Sequence, residues 1–474
     1  MGSEQFPSHW QVLPIAETVD ALIDYRGKTP KKTNSGIPLV TAKIVKGGTV
    51  LPATEYIAEE DYDSWMVRGF PQAGDVVVTT EAPLGEVAQL DDPNVALAQR
   101  IVTLRGAKGL LLNDYLRYVM QGSYVQSQME SRATGSTVKG IKQSELRKVL
   151  LPIPSLQEQS AIASCLKYLD KKIQLNQQVN QTLEQMAQAL FKSWFVDFEP
   201  VKAKITVLEA GGTVEDATLA AMTAISGKDT SALAVFARAQ PEQYAELKAT
   251  AELFPAAMQG SELGEIPKGW EVSSLAKRIK LVGGGTPKRS EPNYWGGDIC
   301  WYSVKDAPSE SDIFVIDTTE KITPEGLAKS STKLLPIGTT IISARGTVGK
   351  LALTAVETAM NQSCYGISGG KYSGPFLTYL KVKQCIDVLK RNTHGAVFDT
   401  ITTNTFDTVN MLTAHDVINS EFEKCITPLF DAIKVNLISN SALKQLRDTL
   451  LPKLLSGEIT LPEAEQAINE VEHV

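Results

Sequence analysis

The sequence predicts an α+β fold with two similar globular domains in tandem. Each domain is followed by a long α-helix, and the two helices pair as an antiparallel coiled coil. Three observations support this prediction: a length of 474 residues, an internal repeat, and a heptad pattern present in both copies of the repeat. Single hydrophobic cores seldom grow beyond about 250–300 residues, so the length alone favours more than one domain.

The internal repeat consists of matching stretches in the same order. RGKTPKK, which begins at Arg26, matches GGGTPKR, which begins at Gly283, 257 residues later. GDVVVTTEAPLGEVA, from Gly74, matches GTTIISARGTVGKLA, from Gly338, at an offset of 264. Because the order is kept and the offset hardly changes, the chain contains two copies of one structural unit.

A heptad pattern follows each copy. Between Ile162 and Trp194, and again between Phe422 and Leu454, seam residues recur in alternating steps of four and three. A pattern of this length predicts a coiled coil, in which a polar seam residue fixes the register at some cost in stability. The seam asparagines occupy the same two positions in both copies and are Asn176, Asn180, Asn436 and Asn440. The alternative is two ordinary amphipathic helices, each packed on its own domain.

The first long helix has a clear predicted start. Ser155 is followed three residues later by Glu158, which is the pattern of a capping box. A helix from there to Phe195 would be about 60 Å long at 1.5 Å per residue. The predicted organisation is a first globular domain (1–154), a helix (155–199), a helical connecting segment (200–264), a second globular domain (265–414), a second helix (415–457) and an acidic tail (458–474).

Four aromatic residues lie close together at the end of the first helix. Two interpretations apply to them: they form a docking surface for a partner protein, or they cap the helix against the connecting segment. The residues are Phe191, Trp194, Phe195 and Phe198.

Charge is unevenly distributed along the chain. The net charge of −7 argues against a nucleic-acid binder, since such proteins are usually basic. However, residues 21–48 carry six Lys or Arg against one Asp, and residues 266–290 carry six against one Glu. Both basic stretches include the Thr-Pro repeat described above, so basic character is concentrated where the two copies match. Solvated charges on an ordinary surface are the alternative.

Cysteine content and hydropathy predict a cytoplasmic protein without a membrane span. The five cysteines are far apart and form no CxxC or Cys/His cluster, which favours reduced thiols and no metal site. No signal-peptide pattern opens the sequence, and no run of about 18 apolar residues occurs.

The sequence contains no motif of a nucleotide-binding enzyme or of an adenine methyltransferase. It contains no GxxxxGK[ST] loop for a triphosphate, no GxGxxG between a strand and a helix, and no Asn/Asp-Pro-Pro-aromatic stretch of an adenine methyltransferase. The four histidines have no Ser or Cys partner at a recognisable spacing. The sequence therefore favours a binding protein that holds no cofactor or metal of its own.

The two Thr-Pro loops are the best candidates for DNA contact. Glycine permits close backbone approach, proline stiffens a turn, and the cations that follow can neutralise phosphate. Arg reads guanine and Asn or Gln reads adenine in the major groove. Arg, Asn and Gln residues near the loops are therefore also candidates for DNA contact. Exposed β-turns with solvated charges, and internal hydrogen bonds for Arg345 and Gln362, are the alternatives. The predicted DNA-contacting residues are Arg26, Lys28, Thr29, Lys31, Lys32, Lys43, Gln99, Arg100, Ser136, Lys139, Thr286, Lys288, Arg289, Tyr294, Trp295, Tyr302, Lys305, Arg345, Asn361 and Gln362.

The motifs in combination resemble the target-recognition domains of type I restriction–modification specificity subunits. The second copy shows GWE, GGGTP, YWGGDICW, ISARGTVGK, MNQS and GAVFDTI in that order, and the first helix begins with LPIPSLQEQSAIASCL. The resemblance covers nearly the whole chain. Arg26 and Lys28 replace the double glycine of the family's loop, and MLTAHDVINSEF lacks the Pro-rich and Glu-Gln signature of the family's helix entry.

The resemblance implies a function and a set of partners. Such subunits bind double-stranded DNA through two target-recognition domains and read a split, asymmetric site whose gap is set by the long helices. Two methyltransferase subunits would carry S-adenosylmethionine and methylate adenine, and a restriction subunit would use ATP and Mg²⁺. The alternatives are a scaffold that joins two partner proteins without DNA and, less in keeping with the missing motifs, a fused restriction–methylation enzyme.

Overall fold

The computed structural model describes residues 6–308, 312–392 and 400–472. Most of the GAVFDTI stretch (395–401) therefore lies outside the described residues. The first globular domain contains β1 (Gln11–Pro14), α1 (Ile15–Thr18), β2 (Val19–Asp24), β3 (Ile37–Val40), β4 (Val45–Lys46), β5 (Thr49–Val50), β6 (Tyr56–Ile57), α2 (Tyr62–Trp65), β7 (Val76–Thr80), β8 (Leu84–Gln89), β9 (Ala96–Leu97), β10 (Ile101–Gly106), α3 (Asn113–Gln121), α4 (Ser123–Arg132), α5 (Gln143–Leu146) and β11 (Leu150–Ile153).

The first long helix and the helices of the connecting segment come next. They are α6 (Leu156–Phe195), α7 (Glu199–Glu209), α8 (Val214–Ser226), α9 (Thr230–Ala239) and α10 (Pro241–Leu253). The remainder of the chain contains β12 (Met258–Ser261), β13 (Gly264–Pro267), β14 (Glu271–Ser274), β15 (Lys280–Gly283), β16 (Trp295–Tyr302), β17 (Phe314–Val315), β18 (Lys321–Ile322), α11 (Pro324–Ala328), β19 (Thr340–Ser343), β20 (Leu351–Thr354), β21 (Thr358–Met360), β22 (Cys364–Ser368), α12 (Pro375–Arg391), α13 (Thr403–Asp407), β23 (Asn410–Thr413), α14 (Asp416–Ser456) and α15 (Leu461–Glu472).

The described residues form two compact units. Unit 1 combines residues 6–173 with 441–472, and unit 2 comprises 174–440. Each unit therefore contains one globular domain and a stretch of both long helices. No described helix has both the length and the apolar character that a membrane crossing requires.

The two units have matching sheets, which confirms the predicted duplication. In unit 1 one sheet has the order β2-β10-β7-β8 and another β6-β3-β9, and in unit 2 these become β15-β22-β19-β20-β17 and β18-β16-β21. The larger sheet of unit 2 has a fifth strand, β17, which is parallel to β20. The smaller sheets each contain one parallel pair: β3 with β9 and β16 with β21. The strands of the central sheets read as continuous apolar runs such as VVV in β7, whose residues are all buried. Burial on both faces explains why these runs do not alternate.

The long helices pair in antiparallel fashion within each unit, as predicted. In unit 2, Asn176 donates to Asn440 at 2.9 Å and Asn436 donates to Asn180 at 2.8 Å. In unit 1, the apolar seam residue Leu169 is fully buried in the same core as Leu450. Each seam asparagine therefore meets an asparagine from the opposite copy, which satisfies a polar group that would be costly to bury alone.

The aromatic residues at the end of α6 form part of the core of unit 2. Trp194 is 1 % exposed, and its ring lies 5.1 Å from that of Phe422 and 5.0 Å from that of Phe254. Phe191 and Phe195 are buried in the same cluster. The docking-surface interpretation of these side chains is therefore wrong, because packing against α14 and the connecting segment removes them from solvent.

Helix α15 (Leu461–Glu472) lies where the sequence analysis expected only an acidic tail. Its apolar residues Ala464 and Ile468 are buried in the core of unit 1, which also contains Trp10. Its acidic residues Glu465 and Glu470 are exposed. The negative charge that suggested a tail thus lies on the solvent face of an amphipathic helix.

Candidate nucleic-acid interface

Two of the three glycines of the second Thr-Pro loop are explained by close packing. A Cβ on Gly284 would lie 1.8 Å from the carbonyl oxygen of Asn361, and one on Gly285 would lie 2.2 Å from the Ser331 hydroxyl. The Gly285 amide donates to the Met360 carbonyl at 2.9 Å. The glycines therefore press this loop against the MNQS segment, which brings two predicted DNA-contacting stretches side by side.

A hydrogen bond between side chains joins these two stretches. The Thr286 hydroxyl donates to Oε1 of Gln362. In unit 1 the corresponding Thr29 hydroxyl donates to Oε1 of Gln99 at 3.4 Å. The same Thr–Gln pair therefore occurs in both units, although the residue after the glutamine differs: Arg100 in one and a serine in the other.

The last cation of each loop is held by a glutamate. Lys32 Nζ lies 2.9 Å from Glu55, and Arg289 Nη2 donates to Glu320 at 3.0 Å. The hydrogen bond to Arg289 lowers the pKa of Glu320, and the same bond raises the pKa of Arg289. These pairs are solvent-exposed, so a phosphate can replace the carboxylate at little cost.

Arg289 is also held by two indole rings. Its guanidinium carbon lies 4.0 Å from the centre of the Trp295 ring and 5.1 Å from that of Trp301. Trp301 Nε1 in turn donates to the Gly285 carbonyl at 3.0 Å, which ties the aromatic pair to the glycine loop. Cation–π contacts of this kind fix a planar guanidinium before any ligand arrives.

The corresponding loop of unit 1 borders a cavity of about 270 Å³. Five predicted DNA-contacting residues line it, together with Glu55. The walls are otherwise apolar and include Leu39 and Ala98. The predicted residues are Thr29, Lys32, Lys43, Gln99 and Arg100.

Arg26 connects the first Thr-Pro loop to a second basic loop of unit 1. Its Nη2 donates to the Ile141 carbonyl at 2.6 Å, so this arginine serves an internal contact instead of projecting freely. Ser136 and Lys139, in the loop just before Ile141, are exposed. Gly140 pairs with Glu81, next to Ala82 in the cavity wall, which places this loop beside the cavity.

The other predicted residues of unit 2 are also located by the structure. Lys288 pairs with Glu291 at 2.9 Å, and Lys305 and Arg345 are exposed. Ala344, immediately before Arg345, donates its amide to the Ser363 carbonyl at 2.7 Å, so this loop lies beside the MNQS segment.

Four further predicted residues differ in their exposure. Lys28 and Lys31 are exposed on the first loop, whereas Tyr294 is half-buried. Asn361 is half-buried, and its side-chain oxygen accepts the amide of Ser363 at 3.0 Å. Asn361 therefore already uses one of its hydrogen-bonding groups within the domain.

The prediction for Tyr302 is wrong. Its side chain is 0 % exposed and packs in a core cluster with Leu335 and Met360. Burial raises the pKa of its hydroxyl, which is consistent with an apolar environment. Residues 300–302 at the end of β16 are all buried, so this part of the strand is covered on both faces. Tyr302 therefore supports the sheet and cannot reach DNA.

Sequence reasoning missed the two glutamates. Glu55 and Glu320 each come directly before an equivalent edge strand, β6 and β18, in the matching stretches TEYI and TEKI. This match is part of the internal repeat and could have revealed both residues. It was missed because only basic and amide side chains were considered as DNA contacts, whereas these are carboxylates.

Comparison with known proteins agrees with this geometry. The family model described as "Type I restriction modification DNA specificity domain" matches residues 7–185 and 267–411. The chain belongs to this family. The two matched regions include both Thr-Pro loops, both Thr–Gln pairs and the glutamates that hold the loop cations.

Relatives and a solved structure extend the comparison over most of the chain. The Type I restriction enzyme HindI specificity subunit of Haemophilus influenzae is 34% identical over 78% of this chain and 82% of its own length. The MjaIX specificity subunit of Methanocaldococcus jannaschii is 24% identical over 97% of this chain and 95% of its own length. The fold is similar to that of a Type-I restriction-modification system S subunit from M. genitalium, with a TM-score of 0.50, 14% identity, and coverage of 95% of this chain and 96% of the other.

Proposed function

We propose that this chain is the sequence-specific DNA-binding subunit of a type I restriction–modification complex and that it reads a bipartite, asymmetric site. The supporting observation is the duplicated loop cluster, in which the same scaffold carries different exposed side chains. Lys28 in one loop stands where the other has a glycine, and Arg100 stands where the other has a serine. Identical scaffolds with different polar groups suit two different half-sites.

This subunit would have no catalytic role. Two methyltransferase subunits would bind S-adenosylmethionine and methylate adenine in the recognised site, and a restriction subunit would use ATP and Mg²⁺ to cleave DNA. Such a complex acts on chromosomal DNA and so would work in the cytoplasm, where the five free cysteines would stay reduced.

The long helices offer a docking surface for the methyltransferase subunits. Leu175, Val179 and Met186 on α6, and Val435 and Ile438 on α14, are apolar and 40–64% exposed. All five belong to unit 2, and a stripe of this kind on a helix pair is typical of a protein-binding surface. It takes the place of the aromatic cluster, in which Phe191, Trp194 and Phe195 are buried and Phe198 is half-buried.

A genome-wide map of N6-methyladenine in the host, with and without this gene, tests the proposal. Deletion is expected to remove methylation from one bipartite, asymmetric motif, and a plasmid copy is expected to restore it. A methylome that does not change while the methyltransferase protein is present would contradict the proposal.

A salt titration separates DNA recognition from the scaffold alternative. The purified complex should lose affinity for a duplex steeply as salt rises, because phosphate contacts release counterions. Absence of duplex binding at low salt would favour the scaffold.

A further inference from the structure

The same four-residue arrangement occurs at the Thr-Pro loop of both units. In each, a threonine hydroxyl donates to the side-chain oxygen of a glutamine, and a cation three residues later pairs with a glutamate. The two sets are Thr29, Lys32, Glu55 and Gln99 in unit 1, and Thr286, Arg289, Glu320 and Gln362 in unit 2.

The Thr–Gln hydrogen bond restrains the orientation of each glutamine. An amide oxygen can only accept, so the threonine hydroxyl is the donor in this contact. The bond uses one of the two lone pairs on Oε1 of Gln99 and of Gln362 and holds the side-chain amide in one orientation. The second lone pair of Oε1 and the Nε2 hydrogens remain for a base edge.

The neighbouring cations would have a different task. Lys32 and Arg289 are paired with carboxylates at the rim of each site, and Arg289 also lies against Trp295. A cation that leaves its carboxylate partner and binds a DNA phosphate contributes affinity at any DNA sequence. The glutamine therefore carries the sequence-dependent part of this cluster.

We propose that Thr29 and Thr286 are positioning residues that hold the side-chain amides of Gln99 and Gln362 in the orientation needed for base contact, one in each half-site. A base contact from an amide already held in place contributes more to sequence preference than one from a freely rotating side chain, which must first lose its rotamer entropy. This inference rests on the proposed function, because it concerns recognition of DNA by the same loops.

Selection from a library of fully randomised duplexes by the full-length chain, followed by sequencing, tests this inference. The wild type should enrich a bipartite motif. T29V should reduce the preference at one position of one half-site by about tenfold, and T286V should do so in the other half-site, as expected for loss of one base contact. Q99A and Q362A should reduce preference at the same two positions.

Conservative variants distinguish positioning from loop stability. T29S and T286S keep the hydroxyl and should restore the wild-type motif. Thr33, whose hydroxyl donates to the Ser35 carbonyl at 2.7 Å in the same loop, supplies the matched control, and T33V should leave the motif unchanged. Thermal unfolding midpoints for all variants show whether the fold is intact.

The possible results separate the inference from the proposed function. A wild type that enriches a bipartite motif, with valine variants that keep every base preference or lose affinity uniformly, overturns the positioning role and leaves the proposed function in place. A loss of preference in T29V or T286V at positions that Q99A and Q362A leave unchanged also overturns it. A wild type that enriches no motif overturns both.

Discussion

At the scale of single residues, Lys288 and Arg289 are expected to supply affinity without sequence preference. Both are exposed and each is paired with a glutamate that a phosphate can replace. We predict that the K288A/R289A double variant binds all duplexes more weakly, and that the slope of log affinity against log salt falls by about 1.8, since each lost phosphate contact contributes about 0.9. Fluorescence anisotropy over a range of salt concentrations measures both quantities.

A matched control is available on the connecting segment. Lys248 is an exposed lysine paired with Glu252 at 3.9 Å on α10, so K248A removes a similar surface ion pair away from the loops. Its binding and salt slope should equal those of the wild type. Loss of preference at one base position in K288A/R289A, with an unchanged salt slope, would instead assign these residues to base readout.

The residue scale also shows what sequence could predict about the site. The loop cations and the two glutamines were predicted because their chemistry suits phosphates and bases. The Thr–Gln bonds and the glutamates were not, because they join segments about 25 to 75 residues apart that only the sheet brings together, such as Thr286 and Gln362. The error at Tyr302 has a related cause, since burial of both faces of a strand depends on its neighbours.

At the scale of elements, the start of α6 connects a helix cap to the N-terminal part of unit 1. Glu158 accepts from the Ser155 amide at 3.0 Å, contacts His9 Nε2 at 2.9 Å and accepts from Trp10 Nε1 at 3.3 Å. Partial burial would raise the pKa of Glu158, but hydrogen bonds from His9, Ser155 and Trp10 outweigh it and lower this pKa to about 2. The capping box predicted from sequence is confirmed, and the contacts to residues 9 and 10 extend it.

This carboxylate gives the helix start a defined dependence on pH. Because the folded pKa lies below the unfolded value, the stabilisation is complete above the unfolded pKa of about 4.3 and is lost as pH falls through the folded value. We predict that E158Q lowers the free energy of unfolding by about 1–2 kcal/mol at pH 7, the usual size of a cap effect. The difference from wild type should narrow below about pH 4.3.

Urea denaturation between pH 7 and pH 3 measures this difference. E463Q is the control: Glu463 accepts from the amide and the hydroxyl of Thr460 at the start of α15, and within the described residues it forms no hydrogen bond to an aromatic residue or histidine. E463Q should lower the free energy of unfolding at pH 7 by less than E158Q does. A constant difference between E158Q and wild type across the pH range would show that the charge of Glu158 has no stabilising role.

The long helices were the most predictable elements. Their period and the matching seam asparagines follow from spacing alone, and the structure pairs Asn176 with Asn440 as that spacing requires. Helix α15 was missed because its acidic residues dominate the composition, while the few apolar ones that define its buried face are widely spaced. Periodicity over one short helix is a weaker signal than the same pattern over four heptads.

At the scale of the whole molecule, each unit is built from parts of the chain that are distant in sequence. Unit 1 contains the first globular domain together with residues 441–472. Asp170 on α6 shows how these parts are joined, since it accepts from Arg117 at 2.6 Å, from Tyr118 at 2.9 Å and from Arg447 of α14 at 3.0 Å. The N-terminal domain therefore depends on the C-terminal segment for part of its own core.

This dependence predicts the effect of a short C-terminal truncation. Removal of residues 458–474 takes away Ala464 and Ile468, which are buried in the same core as Trp10. Loss of a buried apolar side chain typically costs about 2–5 kcal/mol, so unit 1 should be strongly destabilised. Hydrogen exchange should accelerate in residues 6–173 and remain unchanged in unit 2. Selection from the duplex library should lose the half-site read by unit 1 and keep the other.

A charge-only variant separates packing from acidity as the cause. E465Q/E470Q removes two exposed negative charges from α15 and leaves its apolar face intact, so exchange rates and both half-sites should match those of the wild type. If E465Q/E470Q had the same effect on exchange and half-site selection as the truncation, the acidic charge of the segment would be its essential property, as the composition first suggested. If the truncation left unit 1 unaltered, the burial of Ala464 and Ile468 would contribute nothing to its stability. The truncation and the charge-only variant are expected to differ because the apolar face of α15, and not its charge, completes the core of the first globular domain.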